Sequence, residues 1–131
     1  MVEVIACFLG VLPVLTTVGP SVTSHRIYLS DLRPVGAQQG YGELQVDKGL
    51  QGTPLKVAGR TFAHGLGTHA PSEVVFDLQK GYDRLVAWVG VDGEVAKYKN
   101  TPEWKGGKHP SVDFKVFGDG KLLFESGLMQ V

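Results

Sequence analysis

A single cysteine, Cys7, occurs in the 131 residues, so no disulfide can form within the chain and stability has to come from packing. Neither sign of charge is in excess, because 13 Lys and Arg side chains balance 13 Asp and Glu. A chain so balanced sets up no long-range field to attract nucleic acid or an anionic membrane. Helical periodicity is missing too: no window of ten residues keeps apolar side chains at spacings of three and four. The longest uncharged run, Val4 to Val18, is interrupted by Pro13 and too short for a stable membrane span. These absences exclude a disulfide framework, a helical bundle and a membrane-spanning segment, and the length fits one domain at most.

What is present points to strands and turns. Eighteen glycines and seven prolines favour many short connections. Residues 1–24 read as a secretory signal, with Val22-Thr23-Ser24 as a small-residue cleavage site, although Glu3 stands where a positive charge is usual. The competing reading is a buried first strand. The domain then occupies 25–131, on a secreted, periplasmic or cell-surface protein. Arg26 to Asp31 reads as a strand, and Pro54 to Ala58 alternates before a turn at Gly59-Arg60. Ser72 to Leu78 and Tyr82 to Val91 read as a hairpin, the second strand apolar enough to be covered on both faces. Val112, Phe114 and Val116 alternate with polar residues, and Asp119-Gly120 turns the chain into Leu122-Leu-Phe124. The fold class is all-β, a β-sandwich.

Two stretches carry candidate chemistry. His64-Gly-Leu-Gly-Thr-His69 sets two histidines around a Gly-rich turn directly before a β-prone run. Gly93 to Pro110 is a long connection holding Tyr98, Asn100 and Trp104. Aromatic rings beside amide and charged groups suit a polar ligand with one apolar face, such as a sugar ring. Tyr98 and Trp104 are then stacking platforms, and Asn100, Asp92 and Glu94 are partners for hydroxyls. His69, with His64 beside it, is a rigid turn element that touches ligand or donates to a backbone carbonyl. The plainer reading of Trp104 is that it folds back over a sheet edge.

Enzyme readings fare worse. Gly65-Leu-Gly-Thr-His-Ala70 has the spacing of a dinucleotide fingerprint, but Pro71 and a strand follow it instead of a helix. Two histidines five apart in a loop lack a third metal ligand. Ser72, His69 and Asp77 are triad residue types, yet no nucleophile elbow surrounds Ser72. Four lysines in the long loop make too small a basic face for nucleic acid.

The same strings carry a family resemblance. Tyr28-Leu-Ser-Asp31, Gly40-Tyr-Gly42, Gly52-Thr-Pro-Leu55, His64-Gly-Leu-Gly-Thr-His-Ala-Pro-Ser72, Tyr82-Asp-Arg84, Val89-Gly-Val-Asp92, Asp119-Gly-Lys121 and Ser126-Gly-Leu-Met129 follow one another in the order of an NPCBM domain. The chain resembles that family, also classed as family 51 of the carbohydrate-binding modules, from about residue 27 to its end. The resemblance implies a galactose-binding-like β-sandwich of jelly-roll type and a non-catalytic role. It also implies a carbohydrate partner, often galactose-type glycans, and a neighbouring glycoside hydrolase. Structural calcium occurs in some relatives, although no complete carboxylate cage is visible here. Relatives continue past the Ser-Gly-x-Met string, so the closing strands of the sandwich are expected to be missing. Binding to a partner protein by the same sandwich, without sugar, is the alternative function.

Overall fold

The computed structural model describes residues 3–7 and 26–130 apart from 80, 81, 83, 107 and 108. Its strands are β1 (Glu3–Cys7), β2 (Gly36–Gln39), β3 (Gln45–Val46), β4 (Leu55–Val57), β5 (Arg60–Phe62), β6 (Leu66–His69), β7 (Ser72–Val75), β8 (Trp88–Val91), β9 (Ser111–Gly118) and β10 (Lys121–Gln130). β3, β6, β1 and β8 form a four-stranded sheet in that order, accompanied by the pairs β9–β10, β2–β7 and β4–β5. The expected all-β class stands. The β9–β10 hairpin falls where the alternation and turn residues put it, whereas the expected turn at Gly59-Arg60 lies one residue earlier, at Ala58-Gly59, with Arg60 opening β5. Asp119 and Gly120, at φ +50° and +76°, supply the left-handed pair that a tight hairpin turn requires.

Pleating decides what each face of the sheet touches. Val89 and Val91 point to one side, where Val91 joins Val95, Val112 and Phe114 in a core closed by Tyr98 and Met129. Gly67 and Gly90 point to the other side and are level with each other, since both pair with Ile5 of β1. A Cβ at Gly67 would collide with the Lys48 carbonyl, and one at Gly90 with a Val57 methyl. The two glycines therefore let residues 48–57 lie directly on this outer face. The crossing seals Leu55, 0% exposed, against Val57 and Phe62.

Several expectations need correcting. Ser72 to Val91 is not a hairpin: β7 pairs with β2, whereas β8 pairs with β1. Asp77 ends the first run, because its Oδ1 accepts from Gln79 N–H at 3.0 Å and offers the backbone a partner outside any ladder. Arg26 to Asp31 is no strand but an extended stretch running into a 3₁₀ turn, Leu29–Asp31. β8 is not covered on both faces, for Trp88 is 52% exposed. It lies on the outer face beyond Gly90, where only the edge of the β4–β5 hairpin reaches. Most of the expected signal, residues 8–24, lies outside the described residues. Glu3–Cys7 is a strand hydrogen-bonded to β6 and β8.

Replacing Gly67 by Ala should cost about 1–3 kcal/mol, because the carbonyl it would strike is backbone and cannot swing away. Gly93→Ala is the control: its Cβ would meet only flexible Lys56 methylenes at 3.4 Å, and the change should stay within about 0.5 kcal/mol. Urea midpoints of the two variants check the difference.

Candidate functional site

The strand end at His69 organises one corner. Thr68, 5% exposed, donates from Oγ1 to Gln39 Oε1 at 2.6 Å, and Gln39 Nε2 donates to the Tyr41 carbonyl at 2.7 Å. His69 meets the Tyr41 ring edge-on, with centroids 5.6 Å apart. Gly40 N–H donates to the Pro71 carbonyl at 2.8 Å, and a Cβ at Gly40 would be 2.9 Å from Pro71 Cδ. Gly42 follows at φ +67°. The chain is thus fastened before and through Tyr41, yet the ring itself is 62% exposed. A hollow of about 180 Å³ opens at the residues on either side of it in the chain, lined in part by Gln38, Gln39, Gly42, Glu43 and Leu44 but not by Tyr41 itself. A second, of about 260 Å³, lies along Gly36, Gln38 and Glu73. Gln38 Nε2 donates to Glu73 Oε2 at 2.9 Å between them.

His64 is not beside His69. Gly65 and the extended strand β6 separate them, so they sit at opposite ends. The turn expected to bring both together is in fact partly ladder, and extended backbone carries its residues apart. His64 stacks on Tyr28 with centroids 3.9 Å apart, and its Nδ1 is 3.5 Å from Asp47 Oδ2. Burial pushes the Asp47 carboxyl up, but the Gly65 N–H, the Ser30 hydroxyl and His64 outweigh it and hold it below the ordinary value.

Asp92 ends β8 and is 1% exposed. Its Oδ1 accepts from Glu94 N–H at 2.8 Å and caps the 3₁₀ turn Gly93–Tyr98. Oδ2 lies against Gly49, where a Cβ would come within 3.1 Å, and finds no hydrogen-bond partner among the described residues. Burial raises the Asp92 carboxyl above its ordinary value; the Glu94 and Lys56 N–H groups oppose the rise, and the Glu94 charge adds to it. Thr53 Oγ1 donates to Glu94 Oε2, and Lys97 Nζ to Gln51 Oε1. Gln51 Nε2 donates to the Tyr98 hydroxyl at 3.2 Å. The crossing segment and the 3₁₀ turn are thereby tied together. Tyr98, expected as a platform, turns its ring into the core.

The stretch from Gly93 to Pro110 is not an open loop. After the 3₁₀ turn comes α1 (Pro102–Lys105), with Thr101 Oγ1 accepting from Trp104 N–H at 3.4 Å and Pro102 in its first turn. Asn100 is exposed between the two. Trp104 is half-buried, its ring edge-on to His109 at 5.1 Å. The structure thus joins Asp92 and Glu94 to Thr53, and Tyr98 to Gln51 of the same crossing segment, and sets His64 apart from His69. Tyr41, Gln39, Gln51, Thr53 and Lys97 escaped the sequence reading. An aromatic between two glycines, Gly40-Tyr-Gly42, was the available signal for the first.

Among the described residues no three His, Cys, Asp or Glu side chains gather into a metal site. Asp92 and Glu94 form a pair, and the orphaned Asp92 Oδ2 beside the Thr53 hydroxyl offers the hard oxygen donors that calcium takes.

A raised carboxyl means that the folded chain holds this proton more tightly than the unfolded chain. Its contribution to stability therefore falls as pH rises from the ordinary value of 3.8 through the raised one, and is level above. Asp92→Asn keeps the capping oxygen and removes the charge. The stability of the variant relative to the parent should rise between pH 3 and pH 7, read from urea midpoints in chelator.

Comparison with known proteins supplies the wider setting. The NPCBM/NEW2 domain family matches residues 25–131. A solved structure of CBM51 from Clostridium perfringens GH95, in complex with methyl-galactose, is similar with a TM-score of 0.60 and 34% identity, covering 79% of this chain and 70% of that one. A curated protein of Renibacterium salmoninarum, named for endo-alpha-N-acetylgalactosaminidase activity, is 30% identical over 118 residues, 85% of this chain. The match spans 7% of that relative's length. The fold is accordingly the galactose-binding-like β-sandwich of CBM51. With the family matched over residues 25–131, the chain belongs to the NPCBM/NEW2 domain family.

Proposed function

We propose that this domain binds a carbohydrate, a galactose-type sugar or a related glycan, at the Tyr41 corner, and does no chemistry on it. The exposed Tyr41 ring, edge-on to His69 on a backbone tied to Gln39 and Thr68, with its chain neighbours Gln39, Gly42 and Glu43 lining a hollow, is the observation that carries the reading. A ring held in one place covers the C–H face of a sugar at little entropic cost. Gln38 and Glu43 at the rim hydrogen-bond the hydroxyls. The similar CBM51 holding methyl-galactose supports the ligand class. Glu94, Asn100 and Trp104 form a second zone along residues 94–104, where α1 presents the indole edge.

Asp92, Glu94 and Thr53 would hold a calcium ion, which supplies positive charge to two crowded carboxylates and locks residues 48–57 onto the 3₁₀ turn. On this reading the protein works outside the cell and tethers a glycoside hydrolase to polysaccharide, in keeping with the name of the much longer relative. The alternative, attachment to a partner protein, draws on the exposed apolar side chains of β10, among them Leu123 and Leu128.

Calorimetry against galactose-type oligosaccharides chosen from a glycan array tests the site. Tyr41→Ala should weaken binding about tenfold or more, the loss of one well-packed anchor. Gln39→Ala should weaken it less, since the ring survives and only the backbone beneath it loses a tie. Unchanged affinity in Tyr41→Ala together with loss in Trp104→Ala would move the site to the Glu94–Trp104 zone. Absence of any glycan binding by the folded domain would leave the protein-partner reading.

A further inference from the structure

The outer face carries a second aromatic feature that the Tyr41 corner does not use. Trp88 starts β8, and Arg60 and Phe62 bound β5. The Arg60 guanidinium carbon lies 5.0 Å from the Trp88 ring centroid and 5.4 Å from that of Phe62. The two rings are 6.1 Å apart, inclined by 41°. The hairpin holding Arg60 and Phe62 cannot shift freely, because Leu55 is fully buried and Val57 is pressed onto Gly90. Arg60 is exposed, and no carboxylate lies within 4.0 Å of it among the described residues, although the chain has as many acids as bases.

A guanidinium lying over an aromatic face leaves N–H groups at its own edge open to a further partner. Those donors match the paired oxygens of a carboxylate or sulfate, and the charge-assisted pair is stronger than a neutral one. Trp88, 52% exposed, offers apolar surface directly alongside. Ring stacking and an anionic substituent are together the chemistry of an acidic sugar.

The position is separate from the Tyr41 corner. Trp88 pairs with Cys7 and His69 with Glu3, so β1 runs its whole length between them. Four strand steps amount to about 14 Å. A glycan with acidic residues among neutral ones could then engage both sites of one domain.

We propose that Arg60, Phe62 and Trp88 form a second saccharide site, selective for a sugar bearing a carboxylate or sulfate. The proposal rests on the carbohydrate-binding reading above. It assigns Arg60 to the anionic group, Trp88 to the ring, and Phe62 to holding both in place.

Calorimetry and native electrophoresis with oligogalacturonate, a sulfated galactan oligosaccharide and a neutral galacto-oligosaccharide test it. The acidic ligands should bind the intact domain and weaken as salt rises from 50 to 200 mM, as an ionic contact requires. Arg60→Ala should lose about tenfold in affinity for them and leave the neutral ligand unchanged. Arg60→Lys should recover only part, since an ammonium cannot pair bidentately. Which acidic ligand binds more tightly tells whether carboxylate or sulfate is preferred. Trp88→Ala should weaken the acidic ligands as well, and Arg60 is exposed, so its variants report binding even if Trp88→Ala unfolds. Undiminished acidic binding in Arg60→Ala, or lowered thermal stability in that variant with no acidic binding by the parent, would overturn the proposal. If the neutral ligand still binds in that case, the Tyr41 site survives alone; if no saccharide binds, both readings fall.

Discussion

The close approach of residues 48–57 to the four-stranded sheet governs most of what the domain presents. It is possible because Gly67 and Gly90, level with each other on the two strands that flank β1, both leave the outer face bare of side chain. Chain crossing there buries Leu55 completely and shuts Asp92 away from water. A carboxylate so enclosed costs free energy unless it is bonded, and Asp92 recovers part of that by capping the 3₁₀ turn after it. The crossing also fixes the β4–β5 hairpin, and with it the ring pair at Phe62 and Trp88. One steric allowance thus sets the strap, the acidic pair and the outer aromatic cluster.

The parts of the fold legible in the sequence are those whose signals are local. Alternation at Val112, Phe114 and Val116 with an Asp-Gly turn is enough to define β9 and β10, since both the faces and the connection lie within twenty residues. Strand pairing across long separations is different. Ser72 to Val75 has the same β propensity whether it pairs with β8 or with β2, and only the tertiary arrangement puts it beside Gly36–Gln39. The apolar run from Leu85 to Val89 promised burial on both faces; the sheet gives one face a core and leaves Trp88 at the margin of the other.

The candidate site was legible in residue type more than in place. Thr68 and His69 were marked as part of a rigid corner, and the structure gives that rigidity a purpose: one bonds Gln39, the other abuts Tyr41. Neither pairing could be named in advance, because Gln39 and Tyr41 are about thirty positions away; the glycines flanking Tyr41 mark the ring but not its partner. Asp92 drew attention as a partner for sugar hydroxyls, yet Gly49 of the strap, admitted over Gly67, lies against its Oδ2 in a carboxyl that is 1% exposed. A motif read for its polar residue was shaped by the segment laid across it.

Tyr41 and Trp88 are both rings left in water, and each exposure has to be weighed against what folding could have gained. Burying an aromatic side chain is worth roughly 1.5–3 kcal/mol, so two rings at the surface forgo a noticeable part of a small domain's stability. Exposure alone is common and carries no meaning. What marks these two is that each ring also meets an aromatic or cationic side chain. Tyr41 has a backbone hydrogen bond and an imidazole edge; Trp88 has a guanidinium, a second ring and a hairpin pinned at Gly90. Restricting a ring in the free protein removes an entropy cost from the moment of binding. An exposed side chain that the fold has already immobilised is therefore better fitted to a ligand than to solvent.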